Sequence, residues 1–264
     1  MNFELIALGL IAYFVLLVLR VATNVCDRML VARGHGYLVI SLGSIGTPVH
    51  ELGHAVAAIF FGHKILKIEL FNPKPNGQLG VVEHSYKTTS FYQNLGCFFI
   101  GIAPIFSGLL ACWFLTVGLW PEFHIDDLVS SLSIVIDDNG LQDAIGWFYS
   151  TTYASHIELW SLDWKRYLLW AVCVTSVVKH MLPSVPDMQG VKRGIVHFAI
   201  FVCGVYLILP SEASAFIESN LLFLLSLQVV FVAYVLLSQL LILLLSNLLF
   251  KWKIRNVQKC KTRS

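Results

Sequence analysis

The chain has 264 residues, of which 57% are hydrophobic and only 13% are charged, and its formal net charge is +2. Soluble domains carry roughly 25% charged residues, and a chain of this size cannot bury so much apolar surface in a water-soluble core. The composition therefore excludes an ordinary soluble enzyme and predicts an all-α polytopic membrane protein that forms a single membrane domain over residues 1–264. No basic patch indicates a nucleic-acid partner.

The apolar runs predict about six transmembrane helices, because each is long enough to cross about 30 Å of hydrocarbon. The first begins at an acidic residue, Glu4, and no clear cleavage site follows it, which favours a retained helix over a signal peptide. The predicted spans are residues 3–22, 36–62, 94–120, 166–183, 194–210 and 220–250.

The connections between these spans differ in character. Residues 63–91 alternate polar and apolar side chains around a turn rich in proline and glycine, which predicts a short membrane-associated β-hairpin. Residues 121–165 are acidic, and the tail 251–264 is basic. Since basic residues favour the cytoplasmic side, we expect both termini and the hairpin in the cytoplasm and the acidic loop outside it.

Three of the predicted spans contain helix-breaking residues. Thr47 followed by Pro48 resembles an N-cap and first helical residue, so we expect the second span to restart or kink there. The sequence GIAP at 101–104 is expected to interrupt the third span. Residues 177–194 hold two prolines and two glycines, which predict an irregular segment at the membrane boundary that carries Asp187.

The second span contains the sequence HELGH, in which His50 and His54 are four residues apart and Glu51 follows the first histidine. On a helix these histidines share one face and can bind one metal ion, while the glutamate acts as a general base on water. The alternative is a pair of core histidines and a glutamate that only form hydrogen bonds. Ionisable groups inside a membrane are costly and usually functional, so we favour the zinc site.

A catalytic zinc ion needs a third protein ligand and one open position. Asp187 is the remaining carboxylate expected at membrane depth. Its side chain either caps the helix that follows it or binds the metal. Together with HELGH, the sequence predicts that Asp187 is the third zinc ligand.

The order of HELGH, hairpin, GIAP and the later PSVPD resembles the site-2 protease family of intramembrane zinc metalloproteases, in a divergent branch with PSxxD. The resemblance covers roughly residues 37–193, with 194–250 as additional C-terminal helices. It implies that His50, His54 and Asp187 bind zinc and that Glu51 activates water. It also implies that the hairpin docks an unwound substrate segment by strand addition. Two residues of GIAP, Gly101 and Pro104, are expected to contact the substrate.

One residue departs from the family pattern. His180 stands three residues before Pro183, where the family has asparagine. It is a candidate substrate contact, a supporting partner of the ligands, a fourth ligand or a packing residue. His63 and His84, which flank the hairpin, are interpreted as interfacial residues.

The sequence therefore predicts an intramembrane zinc metalloprotease that hydrolyses a peptide bond in or near a transmembrane segment of a membrane-protein substrate. The lipid bilayer is its second expected partner. The alternative is a zinc-binding membrane protein without proteolytic activity, either a transporter or an inactive protease-like scaffold. Neither the identity of the substrate nor the oligomeric state follows from the sequence.

Overall fold

The computed structural model describes residues 3–208 except 76, 122–149 and 152, and a set of residues beyond 208. That set is 216, 220, 227, 228, 231, 232, 234–236, 238–240, 242–244, 246, 247 and 250. Most of the predicted acidic loop, part of the sixth predicted span and all of the basic tail lie outside the described residues. The described elements are α1 (Phe3–Ala32), α2 (Gly36–Phe60), β1 (Lys64–Glu69), β2 (Val81–Ser85), α3 (Phe91–Leu119), α4 (Trp164–His180) and α5 (Val185–Ile208).

Local sequence signals set the ends of several helices. The side chain of Ser90 accepts a hydrogen bond from the Gln93 backbone at 3.3 Å and caps α3. Asp163 caps α4 by accepting hydrogen bonds from two backbone N–H groups of its first turn. Gly62 follows α2 with a φ of +70°, a left-handed conformation that glycine adopts without a steric penalty.

The predicted hairpin is confirmed. Strands β1 and β2 pair in antiparallel register from Lys64 opposite Ser85 to Glu69 opposite Val81. A β-bulge after Ile65 shifts this register within β1. The hairpin lies between α2 and α3, and both of its strands contact α2, so the sheet is held against the helix that carries HELGH.

Helix α3 is central among the described helices, because it packs against α2, α4 and α5. Helix α2 packs on α3 and α4. The main buried cluster combines apolar side chains of α1, α3, α4 and the described C-terminal residues around Trp120 and Trp170. Trp170 Nε1 donates to Thr116 Oγ1 at 3.0 Å, which satisfies the buried indole.

The predicted restart of the second span at Thr47 and the predicted interruption of the third span at GIAP are both wrong. Helix α2 continues through Pro48 and helix α3 through Pro104, so Thr47 is not an N-cap and GIAP is not a turn. A proline removes one backbone donor, but neighbouring side chains can satisfy the carbonyl groups that it frees. His54 does this for α3, since its Nδ1 donates at 2.7 Å to the carbonyl oxygen of Ile100, four residues before Pro104.

The prediction of about six transmembrane helices is not confirmed. Among the described residues, two helices are long and apolar enough to cross a membrane, namely α3 and α5. Helix α2 carries polar residues in its centre, and α4 is only 17 residues long. The first and sixth predicted spans include residues whose side chains are outside the described set.

Candidate metal centre

Two helices bring His50, His54 and Asp187 together. The two histidines project from one face of α2, and their Nε2 atoms are 3.1 Å apart. Asp187 approaches from α5 and places Oδ2 at 3.5 Å from His50 Nε2 and Oδ1 at 3.2 Å from His54 Nε2. The ligand atoms offered by the three residues all lie within 4.8 Å of one another, and the group can hold a metal ion.

The other nitrogen of each imidazole is bonded to a backbone carbonyl group. His50 Nδ1 donates to the His180 carbonyl oxygen at 2.6 Å, and His54 Nδ1 donates to that of Ile100 at 2.7 Å. A neutral histidine that donates from Nδ1 has an unprotonated Nε2. Both Nε2 lone pairs therefore point into the same space as the carboxylate of Asp187.

Three acceptor groups at this spacing repel one another unless a positive charge lies between them. A proton on one imidazole would satisfy a single pair, whereas a cation satisfies all three groups. Ligand atoms at 2.0–2.1 Å from a tetrahedral ion are about 3.3 Å apart, which agrees with the three distances between these side chains. Backbone carbonyl groups that orient the ligand histidines are the usual support of such a centre.

The sequence predicted an irregular segment around Asp187, but this residue lies in the first turn of α5, which begins at Val185. The Ser184 backbone N–H donates to Asp187 Oδ2 at 2.6 Å, and the Asp187 N–H donates to Ser184 Oγ at 3.4 Å. This reciprocal pair caps the helix, and a proline is accepted in a first turn. Asp187 therefore caps the helix and also faces the histidines.

Glu51 lies beside this group. Glu51 is 7% exposed, and it lines a cavity of about 890 Å³ together with the three residues of the candidate centre. Among the described residues, this cavity combines a carboxylate general-base candidate with a candidate metal centre. The arrangement can hold a water molecule between a base and a cation, which is what hydrolysis requires.

Two of the three residues predicted to contact the substrate line the cavity, and the third does not. His180 and Gly101 line the cavity, whereas Pro104 is buried in α3 and is not in the cavity wall. A Cβ atom on Gly101 would lie 2.5 Å from Val191 Cγ2 and 2.7 Å from the Asp187 carbonyl oxygen. Only a glycine at this position lets α5 approach α3 closely enough to present Asp187.

Two polar contacts join α1 to the end of α4 and to the connection that follows it. Arg20 donates to the Pro183 carbonyl oxygen. Lys179 Nζ, in a side chain that is 1% exposed, pairs with Asp27 Oδ1 at 2.5 Å. Sequence reasoning missed both contacts, although charged residues inside apolar helices were the available signal.

His63 and His84 form a second histidine pair, and His84 lines the same cavity as the candidate centre. His63 Nε2 donates to the Gln93 carbonyl oxygen at 2.8 Å, and the Nδ1 atoms of the two rings are 2.9 Å apart. The ring of Tyr86 stacks on that of His63 at 5.0 Å between centroids. Burial lowers the pKa of His63 and lowers that of His84 to about 4, so both rings are neutral near pH 7.

Comparison with known proteins gives no further assignment, since no family model, curated protein or solved structure matches the chain.

Proposed function

We propose that the protein is an intramembrane zinc metalloprotease that hydrolyses a peptide bond in or near a transmembrane segment of a membrane-protein substrate. The observation that carries this proposal is the convergence of two histidine Nε2 atoms and one carboxylate beside Glu51 in a single cavity. Imidazole and carboxylate ligands suit Zn²⁺, and three protein ligands leave one position for water or substrate, as in catalytic zinc sites.

In this proposal each residue of the site has one task. His50, His54 and Asp187 hold the ion, and the carbonyl groups of His180 and Ile100 fix the two imidazole rings. When bound, zinc supplies Lewis acidity to a water molecule and to the substrate carbonyl group. A carboxylate oxygen of Glu51 accepts the proton of the attacking water and then delivers it to the amide nitrogen that leaves.

The membrane setting is supported by the helices around the site. Helices α3 and α5 are long and apolar enough to cross a bilayer, and α5 leaves much of its apolar surface exposed. Apolar surface of this extent that the described residues leave uncovered requires either lipid or a further protein surface. We accordingly propose a multi-pass protein with both termini in the cytoplasm, which cleaves substrates that unwind locally within the bilayer.

The test uses the purified chain in detergent with a panel of internally quenched, single-span peptides as substrates. Wild-type protein is compared with Glu51→Gln, and the zinc content of both is measured. We expect about one zinc ion per chain in both proteins. Cleavage by Glu51→Gln should be about 10²- to 10⁴-fold slower, because the general base is lost.

Two results would contradict the proposal. Cleavage by Glu51→Gln at the wild-type rate would remove Glu51 from the mechanism. Zinc in both proteins, without cleavage of any peptide by the wild type, would favour the non-proteolytic alternative of a zinc-binding transporter or scaffold. A second variant, Asp187→Ala, separates the metal site from the chemistry, because it should lose zinc as well as activity.

A further inference from the structure

The segment that leads from the hairpin turn into β2 lies inside the cavity of the candidate centre. Residues 77–82 line this cavity. A Cβ atom on Gly80 would be 2.8 Å from Glu51 Cγ, 2.9 Å from Glu51 Oε1 and 2.8 Å from Thr47 Cγ2. The backbone at Gly80 therefore packs directly on the general-base candidate, where a substrate backbone would have to lie.

The preceding residue fills a niche beside this point. Gly43 forms the floor of the niche. A Cβ atom added to Gly43 would lie 2.5 Å from Leu79 Cδ1. His180 Nε2 and Phe71 Cε2 lie 3.5 and 3.6 Å from the same position and form its walls. The niche thus has the size of a leucine side chain and exists because α2 has no side chain at residue 43.

We propose that the Gly43–His180 niche is a side-chain subsite of the candidate centre, and that Leu79 is its internal occupant. An extended peptide whose carbonyl group faces Glu51 follows the path that residues 79 and 80 take, so its neighbouring side chain enters this niche. The substrate is therefore a peptide segment with a leucine-sized, branched apolar residue next to the cleaved bond. The 77–80 segment leaves the cavity before that segment enters.

This inference rests on the proposed function for its substrate, but the contact itself does not. The 77–80 segment is bonded to the other side of the hairpin turn. The Lys74 N–H donates to the Gln78 carbonyl oxygen at 2.8 Å, and the Asn72 N–H donates to that of Leu79 at 2.5 Å, so we expect the segment to move together with the turn. Displacement of an internal segment to admit substrate is a common gating step in enzymes.

A reversible cross-link tests the proposal. The double variant Gly43→Cys/Leu79→Cys is oxidised, and the linked peptides are identified by mass spectrometry. The matched control is Lys64→Cys/Ser85→Cys, which joins the register partners of β1 and β2 without tying the hairpin to α2. Two rates are measured in each protein before and after reduction, namely zinc removal by dipicolinic acid and cleavage of leucine-containing quenched peptides.

We expect the 43–79 disulfide to form and to slow both rates by about tenfold or more, with recovery on reduction, whereas the control link changes neither rate. The single variant Leu79→Ala should release zinc to the chelator faster than wild type. Failure of the 43–79 link to form, or unchanged rates in the linked protein, would overturn the proposal. If the wild type binds zinc but cleaves no peptide, the proposed function fails while the chelator rates still decide whether the segment closes the site.

Discussion

The molecule contains two histidine pairs that lie close in space and differ in what surrounds them. His50 and His54 donate their Nδ1 hydrogens to backbone carbonyl groups, and their Nε2 atoms face Asp187. In the pair of His63 and His84, one imidazole donates to the other, and no carboxylate among the described residues is paired with either ring. Two imidazoles at hydrogen-bond distance can therefore offer a site for a metal ion or form a structural contact, and which of the two they favour depends on their tautomers and on a neighbouring carboxylate.

The largest effect is expected on zinc content, which should distinguish the two histidine pairs. His54→Ala removes one of the three proposed ligands and should weaken zinc binding by more than about 100-fold, beyond the 10- to 100-fold typical of residues that only support ligands. His63→Ala should keep zinc and lower thermal stability, because it leaves buried hydrogen-bonding groups without partners. Metal analysis of both purified variants checks this. Zinc loss in His63→Ala would mean that the hairpin pair also supports the metal.

The second prediction concerns the position of Asp187 beside His50 and His54, because the pair of His63 and His84 has no such carboxylate neighbour. Gly101→Ala should weaken zinc binding by about tenfold, since its methyl group would push the first turns of α5 away from α3. Gly118→Ala is the matched control, because nothing lies within 4 Å of a Cβ atom at that position of the same helix. Competition with a fluorescent zinc chelator measures both. Equal affinities would show that the site tolerates displacement of Asp187.

The smallest expected effect is a pH dependence of stability that arises at the hairpin pair. The pKa of His84 falls from about 6.5 to about 4 in the folded protein, mainly by burial. The unfolded chain therefore binds a proton more readily, and stability present above pH 6.5 is lost as the pH falls towards about 4.

Melting temperatures between about pH 7 and pH 5 check this, with His84→Asn as the control because asparagine keeps a donor towards His63 without titrating. We expect the wild type to lose about 4–7 °C more than the variant over this range. An equal loss in both proteins would assign the pH dependence to other groups.

The sequence predicts the parts of the site that depend on local spacing. The i, i+4 relation puts His50 and His54 on one helix face, and the alternation after the second span predicts the hairpin. The limits of the third span, 94–120, come close to those of α3. These features are determined by residues that lie near one another along the chain.

The sequence analysis was less accurate where tertiary contacts decide. Prolines at 48 and 104 suggested breaks, but packing around them keeps both helices continuous. Helix α5 begins at Val185 rather than at 194, because Ser184 and Asp187 cap it and Pro186 fits a first turn. The carbonyl groups that fix the ligand histidines and the insertion of Leu79 could not be predicted, since backbone atoms and packing niches leave no pattern in the sequence.

The contacts from α1 make the two sides of the cavity mechanically unequal. Residues 179 and 183, on either side of the His180 carbonyl that orients His50, are each bonded to α1 through Asp27 and Arg20. The wall of the cavity that contains His180 is therefore held in place by two contacts to a separate helix. The opposite side is the hairpin, a two-stranded sheet that is marginally stable by itself and depends on its packing against α2. Entry to the cavity is therefore expected to come from movement of the hairpin, while the metal ligands keep their positions.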